Sequence, residues 1–182
     1  ENKNVLITGG AGFIGSELTK QVLSYGANVS VVDNLVNGKK SNLNLDDKNL
    51  FFHEEDIRNQ QVMQNLISKS DYVFNLACLG VRHSIHSPIE SHSVNADATL
   101  NLLKMSRESK IKKFVHISTS EVYGTAKYVP MTEEHPTAPH TVYGASKLAG
   151  EAYARAYSKS FNTNTVVILS LIHISEPTRQ DR

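Results

Sequence analysis

The stretch TGGAGFIG (8–15) spaces three glycines as Gly9-x-x-Gly12-x-x-Gly15, between an apolar run and an amphipathic one. Glycine lets the backbone turn tightly and come close to a pyrophosphate, and a helix opening behind it offers free N–H groups and the positive end of its dipole. Phe13 and Ile14 lie inside the same stretch and are expected to border whatever it cradles. Asp33 closes the next apolar run, NVSVVD (28–33). A carboxylate there accepts hydrogen bonds from adenosine ribose hydroxyls and repels a 2′-phosphate, which favours NAD over NADP. Asp56 and Ile57, expected at the end of a third strand, are candidates to border the adenine. A glycine-rich turn followed by a loop-capping Asp is the competing reading. The required strand-before, helix-after context argues against it.

A second constellation lies in the C-terminal half. YGASK (143–147) places Tyr143 and Lys147 four residues apart, hence on one helix face. A free tyrosine titrates near about 10 and is a poor base at neutral pH. A neighbouring ammonium and a nicotinamide cation both favour its phenolate, and the lysine can also hold the nicotinamide ribose. The spacing alone arises often by chance. It gains force from Ser118-Thr119-Ser120, which ends an apolar run and can present a hydroxyl to the oxygen that Tyr143 deprotonates.

These residues need strand ends and helix starts to hold them, and the chain supplies both. Strands are predicted at NVLIT (4–8), NVSVVD (28–33), within NLFFHEEDI (49–57), at DYVFNLA (71–77), at IKKFVHIS (111–118) and at NTVVI (164–168). Helical patterns fall between them, over 13–25, 58–69, 92–109 and 141–160. In the first, Phe13, Ile14, Leu18, Val22 and Leu23 form one stripe, and Gly26 ends it as a C′ glycine would. In the third, Val94, Ala98, Leu102 and Met105 recur at helical spacing. The polar run 34–48 reads as a loop. Strands alternating with helices predict an α/β fold, a doubly wound parallel sheet covered on both faces. GVRHSIHSP (80–88) follows the fourth strand, where ligands gather in such sheets, so Arg82 and Ser84 are candidates to touch substrate.

The 182 residues are 40% hydrophobic and 20% charged, enough for one domain with a substantial core. A net charge of +1 gives no electrostatic reason to expect a nucleic-acid or membrane partner. No apolar run approaches a membrane span, and the start ENKNVLI has neither the apolar region of a signal peptide nor an initiator Met. A single cysteine, Cys78, cannot form an internal disulfide, which suits a reducing, cytoplasmic setting. It reads as a small buried packing residue. His83, His86 and His92 lack companions that would make a metal site, and are read as solvent-facing with no metal expected.

TGGAGFIG, the Asp33-Asn34 pair, NLA (75–77), STSEVYG (118–124) and YGASK together resemble the extended short-chain dehydrogenase/reductase family. More narrowly, they resemble its NAD-dependent nucleotide-sugar epimerases and dehydratases. The resemblance covers about residues 4–168 and implies a Rossmann-type domain holding NAD, with a nucleoside-diphosphate sugar as substrate. It implies that Asn34, Leu76 and Ala77 join the cofactor contacts. It implies that Tyr143 takes the C4 hydroxyl proton as hydride leaves C4, that Thr119 bonds the C4 oxygen and that Lys147 holds the nicotinamide ribose. Thr119-Ser120-Glu121 resembles the Thr-Ser-Glu of sugar 4,6-dehydratases and of nucleotide-sugar decarboxylases. There Glu121 would remove the C5 proton and Ser120 would assist loss of the C6 hydroxyl. DNLVNG (33–38) and GVRHS resemble 4-epimerases instead, so the motifs divide, with the lean toward a dehydratase. A non-catalytic dinucleotide-binding module is the alternative of another class, disfavoured because Tyr143, Lys147 and Thr119 are all present. An NADPH-dependent carbonyl reductase is disfavoured by Asp33.

Family members continue past the sixth strand into an Arg-x-x-Asn-x-Tyr-Gly-Pro type segment and a C-terminal substrate lobe, and often form homodimers through the two long helices. Here LSLIHISEPTRQDR (169–182) follows instead. It resembles the translated transposase adapter of sequencing libraries. The expected division is therefore an NAD-binding domain over 1–168, truncated before the substrate lobe, and a non-native tail over 169–182. A divergent native tail is the alternative. A chain of this extent is expected to bind NAD weakly and turn over little.

Overall fold

The computed structural model describes residues 3–170. Six strands form one sheet: β1 (Asn4–Thr8), β2 (Asn28–Val32), β3 (Leu50–His53), β4 (Tyr72–Asn75), β5 (Lys113–Thr119) and β6 (Thr165–Ser170). Their order across the sheet is β3-β2-β1-β4-β5-β6, and every pairing is parallel. The chain thus builds outward from β1 to β3, returns to the middle and builds out the other way. This is the doubly wound Rossmann-type order, with its switch point between β1 and β4.

Parallel strands need crossover helices, and these cover both faces. On one face α1 (Phe13–Ser24) packs Leu18, Val22 and Leu23 against Val5, Ile7, Val29 and Val31. On the other, α2 (Gln60–Ile67), α5 (Ala98–Glu108) and α6 (Val142–Phe161) close over Leu6, Val73 and the fully buried Phe114. Alternate residues of β1 serve opposite faces, as the period of two requires. The side chains of Asn59 and Thr141 accept the Val62 and Gly144 N–H groups and so start α2 and α6. Asn162, left-handed at φ 54°, ends α6.

Several expectations shift. Phe13 and Ile14 do not join the core stripe of α1: they are 59% and 39% exposed, because the helix begins beyond the carboxyl end of the central strand β1 and its first turn lines the crevice there. β3 ends at His53, so Asp56 and Ile57 lie in the turn beyond it. The 80–88 stretch, outside the helical patterns expected from the sequence, carries the short helix α3 (Val81–His86) and the start of α4 (Pro88–His92). α4 runs through a π-helical turn at Ser93–Asp97 into α5, four residues earlier than the periodicity predicts. The expected stripe of Val94, Ala98, Leu102 and Met105 is buried throughout. β6 continues to Ser170, with Leu169 and Ser170 registered against Ser118 and Thr119. The expected domain boundary at 168 therefore falls inside a strand, and the rest of the expected tail, 171–182, lies outside the described residues. Among the described residues no helix is long and apolar enough to cross a membrane.

Candidate active site

A crevice of about 790 Å³ runs along the carboxyl ends of the strands, over the switch point. That volume suits a ligand of cofactor size. Its floor is the glycine stretch. Gly9 has φ +69°, and a side chain there would run into the backbone of Leu76 and Ala77. A side chain at Gly15 would land on the Gly9 carbonyl oxygen. No described side chain caps the start of α1, so its first-turn N–H groups remain open toward the crevice. These features fit a bound pyrophosphate: backbone donors, a helix N-terminus and no Cβ in the way.

At the end of the crevice beside β2, Asp33 is buried and holds the loop together. Its Oδ2 accepts the Ala11 N–H at 3.0 Å and its Oδ1 the Leu35 N–H at 2.8 Å. It still lines the crevice, as do Asn34, Asp56 and Ile57. Asn34 Nδ2 donates to Asp56 Oδ2 at 3.1 Å, and Arg58 grips the same carboxylate through Nε and Nη2. The Arg58 hydrogen bonds hold Asp56 below the usual carboxylate value. Asp33 therefore plays the loop-capping part of the competing reading and keeps the crevice-facing position of the preferred one.

In the middle, the NLA segment is pinned by Thr8. Its hydroxyl donates to Asn75 Oδ1 at 2.8 Å and accepts the N–H groups of Leu76 and Ala77, both at 3.2 Å. Asn95, from the π-helical turn, binds both backbone groups of Leu79 and donates to Ser146 Oγ at 3.0 Å. That side chain ties the loop after β4 to α6. Neither Thr8 nor Asn95 stands out in the sequence, since each acts only through distant backbone.

At the far end, Thr119, Glu121, Tyr143 and Lys147 meet. Burial pushes the Tyr143 hydroxyl above its ordinary value, and the Cys78 thiol and Glu121 carboxylate push the same way, while a hydrogen bond from Thr119 pulls it down. Lys147 donates to the Ile117 carbonyl, and burial lowers its ammonium. No described residue hydrogen-bonds to the Glu121 carboxylate; the residue's bonds are through its backbone, its N–H donating to Thr119 Oγ1 at 3.3 Å and its carbonyl accepting the Gly124 N–H at 3.3 Å.

The other candidates divide. Arg82 lines the crevice. Ser84 does not: it is buried, and its hydroxyl donates to the Val81 carbonyl within α3. Ser120 opens a 3-10 turn after the strand ends and does not line the crevice either. His83 faces Glu90 at 2.8 Å, His92 faces Asp97 at 3.5 Å and His86 is exposed. Cys78 is a correction: it is partly exposed and sits in the crevice beside Tyr143, because the chain leaves β4 there and no longer alternates into the core. The buried Glu151, which accepts from Ser118 Oγ at 2.8 Å, escaped the sequence reading. The signal for Glu151 was available: Tyr143, Lys147 and Glu151 repeat at four-residue steps along one helix face.

Comparison with known proteins finds relatives in both sequence and fold. Residues 6–182 match the family model described as GDP-mannose 4,6 dehydratase. A protein of Methanocaldococcus jannaschii described as a putative UDP-glucose 4-epimerase is 34% identical over 167 residues, 90% of this chain and 54% of its own. The UDP-N-acetylglucosamine 4-epimerase of Methanobrevibacter ruminantium, solved with UDP-N-acetylmuramic acid, superposes with a TM-score of 0.87 at 34% identity, over 92% of this chain and 54% of its own. The dTDP-glucose 4,6-dehydratase DesIV of Streptomyces venezuelae, solved with NAD bound, gives 0.86 at 32% identity, over 91% and 55%. The chain spans about half the length of the curated relatives it matches.

Proposed function

The chain belongs to the NAD-dependent nucleotide-sugar epimerase/dehydratase group of extended short-chain dehydrogenases/reductases, the family of the model it matches, and from that premise we propose that it carries the NAD site and proton-transfer residues of a nucleotide-sugar 4,6-dehydratase. When bound, NAD supplies the hydride acceptor for C4 of the sugar. The backbone donors of 9–15 hold the pyrophosphate, Asp33 the adenosine ribose, and Asp56 and Ile57 border the adenine. Tyr143 takes the C4 hydroxyl proton, Thr119 donates to the C4 oxygen and Lys147 holds the nicotinamide ribose.

The observation that carries the dehydratase reading is Glu121. Its carboxylate stands in the crevice close enough for Tyr143 to feel its charge, and no described residue hydrogen-bonds to it. A carboxylate spent on bracing its own loop would be tied to backbone, as Asp33 is. Once C4 is a ketone the C5 proton is acidic, and Glu121 is the group beside Tyr143 able to remove it; after the C6 hydroxyl leaves as water, the hydride taken from C4 would return to C6 and a solvent proton to C5. Ser120 does not line the crevice, so the same carboxylic acid is also the donor for the departing C6 hydroxyl. The second reading, a 4-epimerase, is favoured by the descriptions of the jannaschii and ruminantium relatives and needs no Glu121.

The test runs the enzyme on candidate nucleotide sugars in deuterated water. The dehydratase yields a 4-keto-6-deoxy product labelled at C5, and Glu121→Gln halts it after C4 oxidation. An unlabelled C4 epimer, made equally well by Glu121→Gln, overturns this reading in favour of the epimerase.

A further inference from the structure

We propose that Glu151 is a positioning residue of the site: from α6 it latches the end of β5 through Ser118, and it supplies the counter-charge that keeps the Lys147 amine protonated in the crevice wall.

α6 is fastened to the end of β5 by two polar side-chain bonds one helical turn apart. Lys147 Nζ donates to the Ile117 carbonyl, and Ser118 Oγ donates to Glu151 Oε2 at 2.8 Å. Consecutive strand residues are thus held by residues four apart on the helix. The next strand residue is Thr119, in the crevice. The latch therefore sets where Thr119 stands relative to Tyr143, one turn before Lys147.

Glu151 is 5% exposed. A carboxylate taken out of water is costly unless paired and hydrogen-bonded. Glu151 is both: its Oε1 accepts from Arg155 Nε at 3.0 Å and Nη2 at 2.7 Å. Arg155 reaches it from the surface, with its own side chain largely exposed. A neutral amide could accept from Ser118 or from Arg155 but not from both, since its NH2 end cannot accept.

The charge has a use at Lys147, which is 3% exposed. Burial pushes its ammonium below the ordinary value, and Cys78 and Glu151 act in the opposite direction. The groups facing Lys147 are Tyr143 and Glu151 from its own helix, His116 and the Ile117 carbonyl from β5, and Cys78 from the loop after β4. His116 is neutral, held so first by burial and then by Lys147 itself. Glu151 is the carboxylate of that group. An uncharged Lys147 would neither favour the Tyr143 phenolate nor hold a ribose as tightly; this consequence rests on the reading given above for Tyr143 and Lys147.

Lysine labelled at Cε and Nζ, followed by NMR through a pH titration of the protein, reads Lys147 directly and requires no cofactor. Lys147→Arg assigns the signal. Glu151→Gln should lower the Lys147 midpoint by about one pH unit or more, and Glu151→Asp should restore most of it. Should Glu151→Gln fail to fold, Arg155→Ala serves in its place: freed of its surface cation, Glu151 should raise the midpoint. An unmoved midpoint in folded Glu151→Gln, or in Arg155→Ala, overturns the proposal. Failure of NAD to bind a protein that shows these shifts would instead remove the functional reading and leave this one.

Discussion

Asp33 performs two tasks with one carboxylate. It accepts the Ala11 and Leu35 N–H groups, which keeps the glycine stretch folded, and it presents charge to the crevice. Asp33→Ala removes both and confounds them. Asp33→Asn keeps an acceptor for one N–H and removes the charge. We expect Asp33→Asn to stay folded and to lower the ratio of NAD to NADP affinity by about tenfold or more, the worth of a charge-assisted hydrogen bond. Titration with both cofactors measures it, and an unchanged ratio would remove Asp33 from ribose recognition. This residue was legible in the sequence because strand, glycine turn and strand-end acid stand at fixed offsets. Cys78 was not, since whether a residue after a strand end turns inward or into a crevice depends on how the loop is pinned. Asn95 does that pinning, from 16 residues away.

At the scale of elements, the join between β1 and α1 leaves no room for a side chain. Gly15 lies in the first turn of α1, where a Cβ would meet the Gly9 carbonyl oxygen and the Gly10 Cα, both backbone. Neither can swing aside as a side chain would. Gly15→Ala should therefore push α1 off the strand, costing about 1–3 kcal/mol of stability. It should weaken cofactor binding more than it weakens the fold, because the first-turn N–H groups move with the helix. Thermal melts beside NADH titrations separate the two, and wild-type affinity in Gly15→Ala would show that the helix start does not hold the phosphates. The helices and strands themselves followed from period and punctuation to within a few residues. The misses share a cause. Phe13 and Ile14 satisfy the helical period yet line the crevice, and α3 and α4 are too short for a period to show.

For the molecule as a whole, the buried polar layer between the sheet and α6 makes stability depend on pH. His116 is buried in β5, with Nδ1 3.2 Å from Asn75 Nδ2 and no described partner for Nε2, which lies beside Gly150 of α6. Burial, then Lys147, holds its value well below the ordinary 6.5. The folded protein thus keeps a neutral imidazole where the unfolded chain takes up a proton. The stability this contributes is complete above about pH 6.5 and is lost as pH falls from there toward the folded value. The slope attributable to His116 approaches about 1.4 kcal/mol per pH unit. His53, lowered by burial and less enclosed, adds a weaker slope of the same sign. Denaturant melts between pH 7.5 and 5 should show His116→Gln with a flatter dependence than wild type. Equal slopes in the two proteins would place the acid sensitivity elsewhere.

The sequence by itself determined what depends on near neighbours. Apolar period and turn residues set the six strands and their crossovers, glycine spacing set the cradle, and a four-residue step put Tyr143 and Lys147 on one face. Alternation of strands and helices was enough for a parallel sheet. Tertiary structure alone decided what depends on residues far apart in the chain. The reversal of strand order put the crevice between β1 and β4, and Thr8 and Asn95 fixed the loop that brings Cys78 beside Tyr143. Past the end of the strand Ser120 fell outside the crevice lining while Glu121 stayed in it, and α6 carried Glu151 beneath Ser118. Local pattern fixes a residue's face on its own element. Burial and electric field at a side chain are set by whatever the other elements bring against that face, and no short stretch of sequence contains them.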